Sequence, residues 1–186
     1  MDYEKTYRKL YLDHGYMLRS DREELFEFCL PLLEKEKPST VLDFGCGRGT
    51  FLDWIIQHSW CERAAGLDIS DIQVPSSVPW TFCKCPTWCS PYSDKEFEWA
   101  TSFDVLEHLT GSEILATLEE MRRVSGSGLI GMVYAGPDIY RCPLTGANLH
   151  RTVMDKNEWA TILGHYGAIE VLDAPGKRTP FCLRWD

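Results

Sequence analysis

The stretch Val41-Leu42-Asp43-Phe44-Gly45-Cys46-Gly47-Arg48-Gly49 decides the fold. An apolar run ends in an acid, and a turn with glycine at every second position follows. Phe51, Leu52, Trp54, Ile55 and Ile56 then recur at helix-like spacing. The order strand, glycine turn, helix is the first unit of an open parallel α/β sheet. Its ligand crevice lies at the carboxyl end of the strand. Residues without Cβ permit a sharp turn at positive φ and let backbone N–H groups approach a ligand closely. The spacing is G-x-G-x-G rather than G-x-G-x-x-G, and Asp43 stands two residues before the first glycine. A carboxylate there would repel a pyrophosphate and suits a ligand that presents a cation.

Two later stretches fit the same plan. Gly66-Leu67-Asp68-Ile69-Ser70 reads as the end of a second strand, and Ser102-Phe103-Asp104-Val105-Leu106-Glu107-His108-Leu109 as the exit from a fourth. With these three motifs in order, the chain resembles the class I S-adenosylmethionine-dependent methyltransferases, over residues 38 to 135 most closely. The resemblance implies a doubly wound Rossmann-like sheet, mostly parallel with an antiparallel last strand. It implies S-adenosylmethionine as cofactor and S-adenosylhomocysteine as product. Asp43 would lie near the sulfonium or amino group, and Asp68 would hold the ribose. Gly45, Cys46, Gly47 and Gly49 would supply backbone approach, with Phe44, Ile69 and Phe103 beside them. The family often places an acid near the adenine amino group. This chain offers Lys84-Cys85-Pro86-Thr87-Trp88 instead, so adenine is expected on backbone groups and Trp88, unless Trp88 is core.

The totals fit that reading. The chain is long enough for one domain with a real core and too short for two ordinary ones. We expect a single methyltransferase-like domain over 1–186: an N-terminal helical cap at 1–37, a cofactor-binding core at 38–135, and an acceptor-side loop, helix and terminal strands at 136–186. No apolar run reaches membrane-spanning length, and Met1 to Arg8 is polar, so neither signal peptide nor anchor is expected. A net charge of -9 argues against a broad nucleic-acid surface. The eight cysteines are read as free thiols of a cytoplasmic protein. Cys83, Cys85 and Cys89 lack a C-x-x-C pair and a near fourth ligand (Cys142 is the distant candidate), so ordinary thiols are preferred to zinc.

Along the chain, Tyr3, Tyr7, Tyr11 and Tyr16 mark the N-terminal segment. Tyr11, His14, Tyr16 and Arg19 stand as lid or substrate candidates, against a helix simply packed on the sheet. Ser20 to Glu23 fits a capping box before a helix carrying Leu25, Phe26, Cys29, Leu32 and Leu33, with Pro31 as a kink. Asp71 to Pro79 contains two prolines, so the helix between strands two and three is expected to be lacking. The sheet face would then be bare near Trp80, and a homodimer contact is expected there. The third strand is placed at Val78 to Cys83. Thr110 to Glu113 is a second capping box, Ser125 to Gly128 breaks its helix, and Leu129 to Tyr134 is the fifth strand. Gly136 to Leu149 is a long aperiodic loop of the kind that is usually functional. A helix at Asn157 to Tyr166, capped by Gly167, precedes strands at Ala168 to Leu172 and Pro180 to Trp185.

For the chemistry, Asp104, Glu107 and His108 fall at i, i+3 and i+4, on one face if the segment is a helical turn. His108 and His150 compete as the base that takes a proton from the acceptor. Asp104, Glu107, His108 and His150 can alternatively hold a divalent metal. That set is similar to the one in metal-dependent small-RNA 2′-O-methyltransferases. The leading expectation is O-methylation of a small-molecule or sugar-like acceptor. A non-catalytic cofactor-binding regulatory subunit and a metal-assisted RNA enzyme are the alternatives. No membrane partner is expected.

Overall fold

The computed structural model describes residues 2–13, 24–71 and 79–186. Helix α1 spans Tyr3–Asp13. Two short pieces follow, α2 at Glu24–Glu27 and α3 at Leu30–Glu36. The break between them has the expected cause. Pro31 sits in the first turn of α3, where its missing N–H and its fixed φ are tolerated, and it cannot continue α2. Strand β1 (Thr40–Phe44) runs through the glycine turn into α4 (Thr50–Ile55). Strands β2 (Arg63–Asp68), β3 (Thr81–Lys84) and β4 (Phe97–Phe103) follow. A 3-10 turn at Leu106–His108 leads to α5 (Gly111–Val124), then β5 (Ser125–Tyr134), α6 (Lys156–Gly164), β6 (Gly167–Val171) and β7 (Arg178–Trp185).

The strands form one sheet in the order β3-β2-β1-β4-β5-β7-β6. The first five are parallel, and β7 lies antiparallel between β5 and β6. The strand order reverses between β1 and β4, so a crevice opens beyond their carboxyl ends. Successive side chains of a strand point to opposite faces, and both faces are buried. Leu42 joins one core with Leu118 and Met121 of α5 and Trp159 of α6. Val41 joins the other with Leu32 and Leu33 of α3 and Leu52 of α4.

Several boundaries differ from expectation. Strand β3 begins at Thr81, not Val78. Ser125 ends α5 as expected, but β5 starts there and not at Leu129, so Ser125 to Gly128 are strand residues. Gly128 is a packing position, because a Cβ there would overlap the Leu183 carbonyl on β7. Gly167 likewise opens β6 and does not cap α6, whose last turn ends at His165. The Thr110–Glu113 box is formed: the Glu113 carboxylate accepts from the Thr110 amide and hydroxyl, both at 2.7 Å. The Ser20–Glu23 box, the lid candidates His14, Tyr16 and Arg19, and most of the crossover between β2 and β3 lie outside the described residues. Trp80 does not stand over bare sheet. Its half-buried indole covers Gly49 and donates to Asp53 at 2.6 Å.

Candidate functional site

One crevice gathers both acids of the glycine-turn half and both histidines. Its floor is the turn after β1. Gly45 stands at φ 76°, and a Cβ there would come within 2.5 Å of Val105 Cγ2, so only glycine fits. Asp43 and Asp68 line the crevice, with Gly45, Cys46, Gly47 and Ile69. Phe44 does not. It is the neighbour of Asp43 on a strand, so it points the opposite way, into the core under α5. Gly49 does not either; it lies against Trp80 at the start of α4.

The two acids differ in how they are held. Asp68 Oδ2 accepts the Gly47 amide at 3.0 Å, and Oδ1 accepts the Ser70 amide and hydroxyl at 2.8 and 2.7 Å. Burial still raises its pKa against these bonds. Asp43 is 3% exposed, and its carboxylate accepts the Thr101 hydroxyl. Burial pushes its pKa up to about 8, with Asp68 adding to the rise and Thr101 opposing it. A cationic ligand group would restore the ionised form.

Trp88 and Phe103 both line the crevice, and Trp88 meets Tyr3 edge-on with ring centroids 6.2 Å apart. The roof is α1. Tyr3, Tyr7 and Tyr11, one turn apart, put their rings on its crevice side. The tyrosine segment therefore both packs on the protein and covers the site. Tyr3 ties the roof down: its hydroxyl donates to Glu113 at 2.7 Å and accepts from Arg151 at 2.6 Å.

At the far end, Asp104, His108 and His150 converge. One ligand atom from each lies within 4.8 Å of the others. Asp104 makes this possible by adopting φ 60°, a left-handed kink that Asp tolerates better than most residues. His150 arrives from the long loop, and the two imidazoles meet edge-on at 4.7 Å. Glu107 does not join them. The segment is a 3-10 turn, not a turn of α-helix, and it sends Glu107 inward. There the side chain is 0% exposed and accepts the Tyr134 amide at 2.5 Å. Burial and the neighbouring Asp104 charge hold its pKa well above the usual carboxylate range.

The histidine tautomers follow from their partners. Nδ1 of His150 is 2.6 Å from the Gly136 carbonyl and Nδ1 of His108 is 3.3 Å from the Leu149 carbonyl. A carbonyl can only accept, so each Nδ1 carries a proton. Nε2 of His108 is buried and has no hydrogen-bond partner among the described residues. Burial lowers the His108 pKa, opposed by Asp104, so the ring stays neutral. Asp138 Oδ2 stands 3.8 Å from Nε2 of His150.

Sequence reasoning missed part of the wall: Phe26, Met132, Tyr134, Asp138, Tyr140 and Arg178. The 3.6-residue spacing of the α1 tyrosines was a readable signal. Asp138 and Arg178 sit in aperiodic stretches and had none. The cysteines are unpaired. Among the described residues, no helix is long and apolar enough to cross a membrane.

Residues 17–167 match the family model described as "Methyltransferase domain". No curated protein matches the chain by sequence. Solved structures match in fold. The PH0226 protein of Pyrococcus horikoshii OT3 has a TM-score of 0.70 at 18% identity, covering 98% of this chain and 99% of that one. Magnesium protoporphyrin IX methyltransferase of Synechocystis PCC 6803, with bound S-adenosylhomocysteine, has a TM-score of 0.63 at 16% identity, covering 98% and 93%. The 1,6-didemethyltoxoflavin N1-methyltransferase of Burkholderia thailandensis has a TM-score of 0.63 at 16% identity, covering 98% and 83%.

Proposed function

The chain belongs to the class I S-adenosylmethionine-dependent methyltransferases, and on that premise we propose that it O-methylates a small molecule with His108 as general base. The observation that carries the proposal is the bare, buried Nε2 of His108. It is a neutral proton acceptor held ready by the Leu149 carbonyl, at the end of the crevice away from the two acids of the glycine turn.

The cofactor residues fit a sulfonium nucleoside. The Gly45 position admits no Cβ, and buried Asp43 and half-buried Asp68 face the same space. Bound S-adenosylmethionine supplies a methyl group already activated by its positive sulfur. Asp43 meets that ligand's positive charge, and Asp68, with both oxygens anchored, offers its remaining lone pairs to ribose hydroxyls. Trp88 and Pro86, which line the crevice, would flank the adenine. On the acceptor side, His108 takes the hydroxyl proton as the oxygen attacks. Asp104 steadies the resulting imidazolium across a short gap. The α1 tyrosines keep water from the transfer path.

A second reading rests on the convergence of Asp104, His108 and His150. Two imidazole nitrogens and one carboxylate are a donor set that a divalent transition metal accepts. A metal held there would lower the proton affinity of the acceptor oxygen. Glu107, turned inward, would not be a ligand.

The test is calorimetric titration with S-adenosylhomocysteine, followed by labelled-methyl transfer to a panel of hydroxyl acceptors by wild type and His108→Ala. The reading holds if the variant binds S-adenosylhomocysteine normally and loses transfer. It fails if His108→Ala transfers at the wild-type rate. Restoration of transfer by added divalent ions after chelation would favour the metal reading.

A further inference from the structure

We infer that the acceptor is an aromatic molecule bearing a carboxylate, and that Arg178 is the residue that recognises the carboxylate. The inference rests on the reading of the crevice as a methyltransferase site and narrows it to a substrate class.

Three observations converge. First, Arg178 lines the crevice and, among the described residues, is its one lysine or arginine; the other charged wall residues are the four acids Asp43, Asp68, Asp104 and Asp138. Second, that guanidinium has no carboxylate partner in ion-pair range among the described residues. Its cation sits over the Phe28 ring, 5.2 Å from the centroid, which holds the stem in place and leaves the planar N–H edges available. A half-buried arginine facing a crevice without a counter-ion is a receptor for a planar anion. Third, Arg178 is placed at the acceptor end. It pairs with Tyr134 across the β5–β7 ladder, and the Tyr134 ring is 5.5 Å from the His150 ring. Asp43 and Asp68 are on β1 and β2, beyond β4 from this edge. Arg178 is therefore the one lysine or arginine among the described residues at the acceptor end, where Asp104 and Asp138 also stand.

Much of the wall is aromatic. Phe26, Phe103, Tyr7, Tyr134 and Tyr140 line it, a surface suited to a flat ring. A hydroxylated aromatic carboxylate would set its anion on Arg178, its ring on this wall and its hydroxyl toward His108. A carboxylate is preferred to a phosphate because one guanidinium, with no second lysine or arginine in the wall among the described residues, matches a single negative charge.

The experiment uses the full chain saturated with S-adenosylhomocysteine and three probes: 4-hydroxybenzoate, 4-hydroxybenzamide and 4-hydroxyphenyl phosphate. Binding is followed by calorimetry. Wild type should bind 4-hydroxybenzoate at least about tenfold more tightly than the amide. Arg178→Gln should abolish that preference, and Arg178→Lys should retain part of it. Tighter binding of the phosphate than of the carboxylate would overturn the carboxylate assignment. Equal binding of acid and amide by wild type, or an unchanged ratio in Arg178→Gln, would overturn the role of Arg178. S-adenosylhomocysteine affinity reports folding of each variant. If wild type fails to bind it, the methyltransferase reading of this crevice fails first, and distinguishably.

Discussion

Thr101 on β4 donates its hydroxyl to Oδ1 of Asp43, its register partner on β1, at 2.8 Å. The bond is too weak to offset burial, and the Asp43 carboxyl titrates at about 8. An unfolded aspartate titrates near 4. Between those values the native state holds a proton that the unfolded state has lost. The stability contributed by this group in the cofactor-free protein is therefore full below pH about 4 and is lost as pH rises to about 8, by on the order of a few kcal/mol. Chemical denaturation across this range should show the decline from this group, and Asp43→Asn should flatten it.

The same group makes cofactor binding a proton-linked event. Binding a cation beside Asp43 should release about one proton near pH 7. Calorimetry of S-adenosylmethionine in buffers of different ionisation heat should detect it. Asp43→Asn should bind about 10- to 100-fold more weakly and release none. Equal proton release by wild type and variant would contradict the role given to Asp43.

Asp68 acts through geometry. Its oxygens accept from Gly47 and Ser70, all donors. An asparagine would turn an NH₂ toward one of those donors, so Asp68→Asn should be nearly as damaging as Asp68→Ala. Each should weaken S-adenosylhomocysteine by about 100-fold. An asparagine variant with wild-type affinity would refute this.

Glu107 is neutral and structural. Glu107→Gln preserves the acceptor for Tyr134 N–H and should change stability by under about 1 kcal/mol. Glu107→Ala leaves a buried amide unpaired and should cost about 2–3 kcal/mol. Thermal melts of both variants decide this, and the glutamine variant should keep its methyl transfer.

His108 should set the acid limb of the pH–rate profile. Burial lowers its pKa below the ordinary imidazole value of 6.5, so kcat/KM should hold its plateau to lower pH than a free imidazole would allow. His108→Ala should cost about 10²- to 10⁴-fold in kcat. An acid limb centred above 6.5 would point to another base.

Most of the sheet was legible because β1 and β2 end in motifs whose residue types have one physical use. Asp43 and Asp68 could be placed in one crevice from their positions at the ends of neighbouring parallel strands. The acceptor half was less so. Whether Glu107 faces the crevice depends on a 3-10 turn instead of an α-turn, a difference of about 20° of rotation per residue that Leu106-Glu107-His108 does not encode locally. Phe44 was misplaced for a simpler reason, since strand alternation puts it opposite Asp43. Ser125 to Gly128 has the composition of a loop. Its glycines answer to crowding by β7, which lies far away in the chain. Arg178 is visible only once β7 is laid beside β5.

Among the described residues, the α1 roof is fastened by side chains alone, including the buried contacts of Leu10 and Tyr11 with Cys142 and Leu149. The Tyr3 hydroxyl bridges Glu113 and Arg151, Lys84 pairs with Glu4 at 2.7 Å, and Thr6 touches the Cys142 sulfur at 3.5 Å. No strand hydrogen bond depends on it. Raising this helix would thus open a doorway while leaving the seven-strand platform, and both acids mounted on it, undisturbed. Spent nucleoside could leave and fresh nucleoside enter while the sheet stays whole.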